Sequence, residues 1–136
     1  MANKTHLKII TPYNISFDDE IEKILLTATS GEIVIMANHA PITFILEECI
    51  VKIINNENKF YLTIMGGSVE VLNNNITIIT DAAENPDQID VDRARYSKSR
   101  AERRIDNKNS SEIDIERAQR SLRRAEIRIK LGVMKR

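Results

Sequence analysis

Along residues 1–85 apolar side chains recur in short runs with a period near two, and after Pro86 the period lengthens to that of a helix. The runs at 7–10, 23–28, 33–36, 42–46, 50–54, 60–65, 69–72 and 76–80 are rich in isoleucine, valine and threonine. Such residues suit a pleated, half-buried surface, so each run predicts a strand. Turn-forming residues separate them: Thr11-Pro12, Ser30-Gly31, 38–41, 55–58, Gly66-Gly67 and 73–75. The acidic group Asp18, Asp19, Glu20 and Glu22 reads as one more solvated turn. Many short strands at regular spacing predict an N-terminal antiparallel β-sandwich or flattened barrel.

Beyond Pro86 two helices are predicted. In the first, Val91, Ala94, Ala101 and Ile105 share a face, with Lys98 between them. In the second, Ile115, Ala118, Leu122, Ala125 and Ile129 keep a 3-4-3-4 spacing. The polar stretch 107–111 lies between them as a loop, and Ser111 followed by Asp114 suits a helix N-cap. A short loop makes the pair a C-terminal antiparallel two-helix hairpin. Its apolar stripes are narrow and partly alanine, so it has little core of its own and depends on a surface to lie on. The expected organisation is a β domain over 1–86 and a hairpin over 87–136, the hairpin being the element able to adopt two states.

Composition adds a charge asymmetry. Residues 1–86 carry 5 Lys/Arg against 11 Asp/Glu, a net of −6, and residues 87–136 carry 15 against 9, a net of +6. Two units of opposite sign suit different partners, or each other. The absence of tryptophan and the 4% aromatic content leave the core to isoleucine, valine and leucine. The single Cys49 cannot form an internal disulfide and reads as a buried thiol of a reducing compartment. The polar stretch 1–6 has no signal-peptide pattern, and no apolar run approaches the length needed to cross a bilayer. Catalytic signatures are missing too. His6 and His39 lie far apart without metal-ligand spacing, and no phosphate-binding loop, dinucleotide fingerprint or nucleophile elbow occurs. Gly66-Gly67 reads as a bend between strands rather than a phosphate cradle.

Four segments, in order, resemble the epsilon subunit of bacterial and chloroplast F-type ATP synthases, whose mitochondrial counterpart is called delta. The stretch 31–41, Gly-Glu-Ile-Val-Ile-Met-Ala-Asn-His-Ala-Pro, is similar to the family's G-E-x-G-I-x-P-x-H-A-P, with Val34 and Ala37 replacing its glycine and first proline. Gly66-Gly67 is followed by Val69-Glu70-Val71 and by the stretch 75–84. Ile89-Asp-Val-Asp-Arg-Ala94 matches I-D-x-x-R-A, and Arg124-Ala-Glu-Ile-Arg128 lies in the last helix.

The resemblance implies a non-catalytic subunit of the rotating central stalk. Its ten-stranded β domain would bind the gamma subunit and rest on the ring of c subunits, with Gly31, Glu32 and His39 on the face that meets the ring. Its hairpin would switch between a compact form and an extended form that reaches the catalytic beta and alpha subunits and limits ATP hydrolysis. Arg117, Arg120, Arg123, Arg124 and Arg128 would then meet an acidic loop of beta, a task suited to the fixed fork of arginine. No cofactor is required. In some bacterial members ATP holds the hairpin compact, and the matching residues are Glu84, Ile89, Asp90, Arg93, Ala94, Arg100, Arg124 and Arg128. Asp90 can equally act as a helix cap, and the arginines as surface charges. Association with the cytoplasmic face of a bacterial membrane, or the stromal face of a thylakoid, would be peripheral. The competing reading, an arginine-rich nucleic-acid-binding module, meets 9 acids among the 15 bases and no aromatic platform beyond Tyr96.

Overall fold

The computed structural model describes residues 3–28, 31–107, 109 and 111–134. Ser30 of the expected Ser30-Gly31 turn, and Lys108 and Ser110 of the expected interhelical loop, lie outside the described residues. The chain divides into two compact units, Met1–Asn85 and Pro86–Arg136.

The first unit holds β1 (Thr5–Ile10), β2 (Ile15–Ile21), β3 (Lys23–Ala28), β4 (Gly31–Met36), β5 (Ile42–Asn55), β6 (Asn58–Leu72), β7 (Asn75–Ile79) and β8 (Ala83–Glu84). Hydrogen bonding runs β2-β1-β7-β6-β5-β3-β4, with β8 on β6. The runs expected as separate strands at 42–46 and 50–54 are one strand, as are 60–65 and 69–72. Their register passes from Leu46↔Gly67 to Glu48↔Met65 without a slip, yet the core-facing set changes parity there. Phe44 and Leu46 face the core before this point on β5, and Cys49, Val51 and Ile53 after it. On β6 the sets are Leu62 with Ile64, then Val69 with Val71. Gly66 (φ +80°) and Gly67 (φ +130°) supply the backbone this knuckle needs. One half of the β5–β6 ribbon therefore serves a layer with β7, β1 and β2, and the other a layer with β3, β4 and β8.

Among the described residues every strand pair is antiparallel except β1 with β7, which run parallel from His6↔Asn75 to Ile10↔Ile79. The core is Leu7, Ile9, Ile21, Ile24, Leu26, Ile35, Val51, Ile53, Ile64, Ile76 and Ile78, all at most 1% exposed. Phe17 and Phe44 are only partly buried against it. The turns use asparagine where φ is positive: Asn38, Asn56, and the consecutive Asn73 and Asn74 that close the β6–β7 hairpin.

Of the acidic group only Glu22 sits at a bend, between β2 and β3. Asp18, Asp19 and Glu20 lie within β2, an edge strand paired with β1. Charged side chains on an edge discourage pairing with foreign strands, which is why the run lacks the apolar density that marks a strand in sequence.

The second unit begins with a short 3-10 turn, Pro86–Gln88, followed by α1 (Val91–Asp106) and α2 (Glu112–Met134). Asp90 caps α1, and its carboxylate accepts from the Arg93 N–H at 3.1 Å. Ser111 caps α2, its hydroxyl accepting from Asp114 N–H at 3.2 Å, as the sequence predicts. Ala94, Ala101, Ala118 and Ala125 are all buried, at most 4% exposed. A seam of β-carbons lets the two backbones approach closely while burying little area per residue.

Candidate functional sites on the hairpin and the β domain

The I-D-x-x-R-A segment has a plain structural meaning. Ile89 N–H donates to Pro86 O at 3.3 Å and closes the entry turn. Asp90 caps, Ala94 N–H makes the first helical bond to Asp90 O at 3.0 Å, and Ala94 itself is buried. Arg93 is exposed. The capping role of Asp90 is thus met by the structure.

Helical periodicity sorts the arginines. At about 100° per residue, Arg93 and Arg100 fall on one flank of the α1 seam. Arg117, Arg124 and Arg128 fall on the flank of α2 with the same offset from its seam. In an antiparallel pair, flanks of equal offset lie on the same side. The five therefore gather along one side of the hairpin, while Arg120 and Arg123 sit roughly opposite the seam and are exposed. Arg124 and Arg128 are half-buried. The Nε of Arg124 is buried and has no hydrogen-bond partner among the described residues. A cleft of about 550 Å³ opens at the ends of the helices, lined by Ile89, Asp90, Val91, Asp92, Arg95, Gly132 and Val133. None of the five arginines lines it.

Glu84 belongs to β8, where the Thr63 hydroxyl donates to its carboxylate at 3.2 Å. The stretch 31–41 divides: Gly31 and Glu32 begin β4, and the loop follows Met36. Glu32 accepts from the Thr27 hydroxyl at 3.3 Å. His39 is exposed, and its Nδ1–H donates to Ala40 O at 2.7 Å. Glu32 thus lies at the start of β4 and His39 beyond its end, with at least ~13 Å of extended chain from Glu32 to Met36 at about 3.3 Å per residue.

Two features had no sequence signal strong enough to find them. The first is an apolar row across the outer face of one layer. Ile45 opposes Ser68, Ser68 opposes Ile79, Ile79 neighbours Ile10, and Ile10 opposes Ile15. Ile45 is 90% exposed, Ile79 56% and Ile15 53%. Beside the row the β1–β2 turn is tied by Thr11, whose hydroxyl accepts from Tyr13 N–H and Asn14 N–H, and it presents a nearly fully exposed Tyr13. The second is His6, which lies between Asp18 at Nε2 and Glu20 at Nδ1, the latter at 3.3 Å.

Both His6 nitrogens can donate only in the imidazolium, so the hydrogen bond to Asp18, aided by Glu20, raises its pKa above the ordinary 6.5. The resulting stabilisation is complete below about 6.5 and is lost as pH rises through the raised value. A proton NMR titration is expected to place the His6 midpoint above 6.5, and His6→Gln to flatten the small fall in β-domain Tm across that window. Cys49, by contrast, is fully buried, and burial pushes its thiol up to about 12.

Comparison with known proteins agrees with this architecture. A family model described as ATP synthase, Delta/Epsilon chain, beta-sandwich domain matches residues 4–86. One described as ATP synthase, Delta/Epsilon chain, long alpha-helix domain matches residues 87–131. The ATP synthase epsilon chain of Desulforamulus reducens is 38% identical over 110 residues, covering 81% of this chain and 83% of that one. The sodium ion specific ATP synthase epsilon chain of Acetobacterium woodii is 39% identical over 106 residues, covering 77% and 80%. Among solved structures, a chain of the Euglena gracilis mitochondrial ATP synthase matches with a TM-score of 0.80 and 16% identity, over 97% of this chain and 80% of that one, a likeness of fold. The class is therefore that of ATP synthase delta/epsilon chains. Within it, this chain belongs to the epsilon-chain family.

Proposed function

We propose that the chain is a non-catalytic rotor subunit whose β domain docks on the gamma subunit and the c ring, and whose hairpin restrains ATP hydrolysis unless ATP holds it compact. The observation that carries the regulatory part is the gathering of Arg93, Arg100, Arg117, Arg124 and Arg128 on one side of a hairpin with a thin alanine seam. Arginines converging from two helices neutralise a triphosphate and hold the helices together, and the buried, unpartnered Nε of Arg124 is a donor suited to a phosphate oxygen. The same side, freed of nucleotide, offers bidentate donors to an acidic loop of the catalytic beta subunit, joined by the exposed Arg120 and Arg123. A ligand that binds one state shifts the population towards it. Ile89, Asp90 and Ala94 complete the nucleotide set on the hairpin by shaping the start of α1.

The row Ile45, Ile79, Ile10 and Ile15 supports docking of the β domain on gamma, because exposed apolar side chains in a line on a rigid sheet suit a protein interface. Gly31 with Glu32, and separately His39, are proposed as contacts to the c ring. Membrane association is then peripheral and through partners. Among the described residues no helix is long and apolar enough to cross a membrane.

Calorimetric titration of the full chain with ATP is the test of the nucleotide site. Binding that is lost in Arg93→Ala/Arg124→Ala supports it, and no heat at millimolar ATP rejects it. In the assembled synthase, removal of 87–136 is expected to raise ATP hydrolysis with rotor assembly intact. Ile45→Asp/Ile79→Asp is expected to weaken gamma binding about tenfold or more, as loss of central apolar contacts does, without lowering the Tm of the β domain.

A further inference from the structure

Gly132 is buried in the last turn of α2, and the helix continues past it to Met134. Its φ lies outside the left-handed region, so the conformational freedom of glycine is not in use. Apart from proline, glycine is the poorest helix former. Its presence here therefore calls for a reason other than backbone shape. The reason is space. A β-carbon at 132 would stand 2.5 Å from Val91 Cγ2 and 3.3 Å from Ile89 Cγ2. Val91 is β-branched and stiff at χ1, so its methyl cannot swing clear without moving the backbone. The two residues touched flank the cap, Asp90, which holds the Arg93 N–H.

We infer that Gly132 is the positioning residue of the hairpin: by admitting the first turn of α1 against the last turn of α2, it sets the spacing of Arg93 and Arg100 relative to Arg124 and Arg128. It touches no ligand. The spacing matters for nucleotide binding only if the arginine side is the nucleotide site proposed above, and the inference rests on that reading to this extent. Closure of the open end, however, depends on Gly132 with or without nucleotide. Val91 is the complementary half of the contact, so shortening it should restore the room that a side chain at 132 removes.

The test uses the full chain with spin labels at the exposed positions Ser99 and Lys130, in wild type, Gly132→Ala and Val91→Ala/Gly132→Ala. Without ATP, Gly132→Ala is expected to lengthen and broaden the interhelical distance distribution, although alanine raises intrinsic helix propensity. The double variant is expected to recover the wild-type distribution. Calorimetry with ATP should follow the same order, with affinity about tenfold lower in Gly132→Ala, as for modest overpacking, and regained in the double variant. An unchanged distance in Gly132→Ala overturns the inference, as does a failure of Val91→Ala to restore it. A distance change with unaltered ATP affinity overturns the positioning role. If wild type shows no ATP binding while the distances behave as expected, the nucleotide reading fails and closure by Gly132 stands. Circular dichroism of each variant confirms that the β domain is folded.

Discussion

Gly67→Ala is expected to abolish folding of the β domain. The added β-carbon would lie 1.9 Å from the carbonyl oxygen of Ile79 and 3.0 Å from Thr80 Cα, and both obstacles are backbone. Relief would require β6 and β7 to part where Ser68 pairs with Ile79. The φ of +130° adds strain that an L side chain rarely tolerates. Together these place the cost at about 4 kcal/mol or more, the range reserved for named steric and backbone failures. That is most of the stability of a small domain. Gly66→Ala is the control: its β-carbon would meet only Leu46 O, at 3.4 Å, and the strain of a φ of +80° alone remains. Its cost should be about 1–3 kcal/mol. Urea unfolding followed by circular dichroism separates the two, since Gly66→Ala keeps a cooperative transition at lower denaturant and Gly67→Ala shows none. A folded Gly67→Ala with near wild-type stability would mean that the knuckle is built otherwise.

Ala125→Leu should take the hairpin apart and leave the β domain standing. Ala125 is 1% exposed in a seam of small side chains, and leucine there must either displace α1 or leave its rotamer. Overpacking of this kind costs about 1–3 kcal/mol in a well-filled interior. A hairpin whose seam is mostly alanine holds little reserve against such a cost, because isolated helices are marginal in water. The expected record is a loss of ellipticity at the helical band, with unaltered amide resonances for the strands of the first unit. Joint loss of both signals would show that the two units fold as one.

Alternation exposed most of the β domain because most strands bury one face, and the turn residues between them carry their own geometry. β2 escaped because Asp18, Asp19 and Glu20 sit in its centre, where an edge strand tolerates charge. The continuity of β5 and β6 escaped for the opposite reason. Glu47-Glu48 and Gly66-Gly67 look like breaks, and only the pairing of one strand with the other shows that the ribbon passes through them. On the hairpin, a regular helix turns spacing directly into geometry, so the grouping of Arg93, Arg100, Arg117, Arg124 and Arg128 follows from their numbers once the helices are known to be antiparallel. Gly132 was illegible because its neighbours, Ile89 and Val91, are some forty residues away. The isoleucine row was illegible because its members come from four strands and meet only through the register of the sheet. The split of Glu32 from His39 needed the extended path of β4, which a motif of eleven residues does not disclose.

The parallel pairing of β1 with β7 has a consequence for how the chain comes to be folded. β1 leaves the ribosome well before residues 75–79, and it waits for them before it gains its second neighbour. Until then its Leu7 and Ile9 have no finished layer to enter, and the β1–β2 ribbon is exposed as a lone hairpin, a form with little stability in water. Pairing so distant in sequence is slow by topology. The β domain therefore completes itself only as the hairpin segment begins to follow, and a nascent chain halted ahead of Asn75 would present open strand edges to chaperones or to other copies of itself.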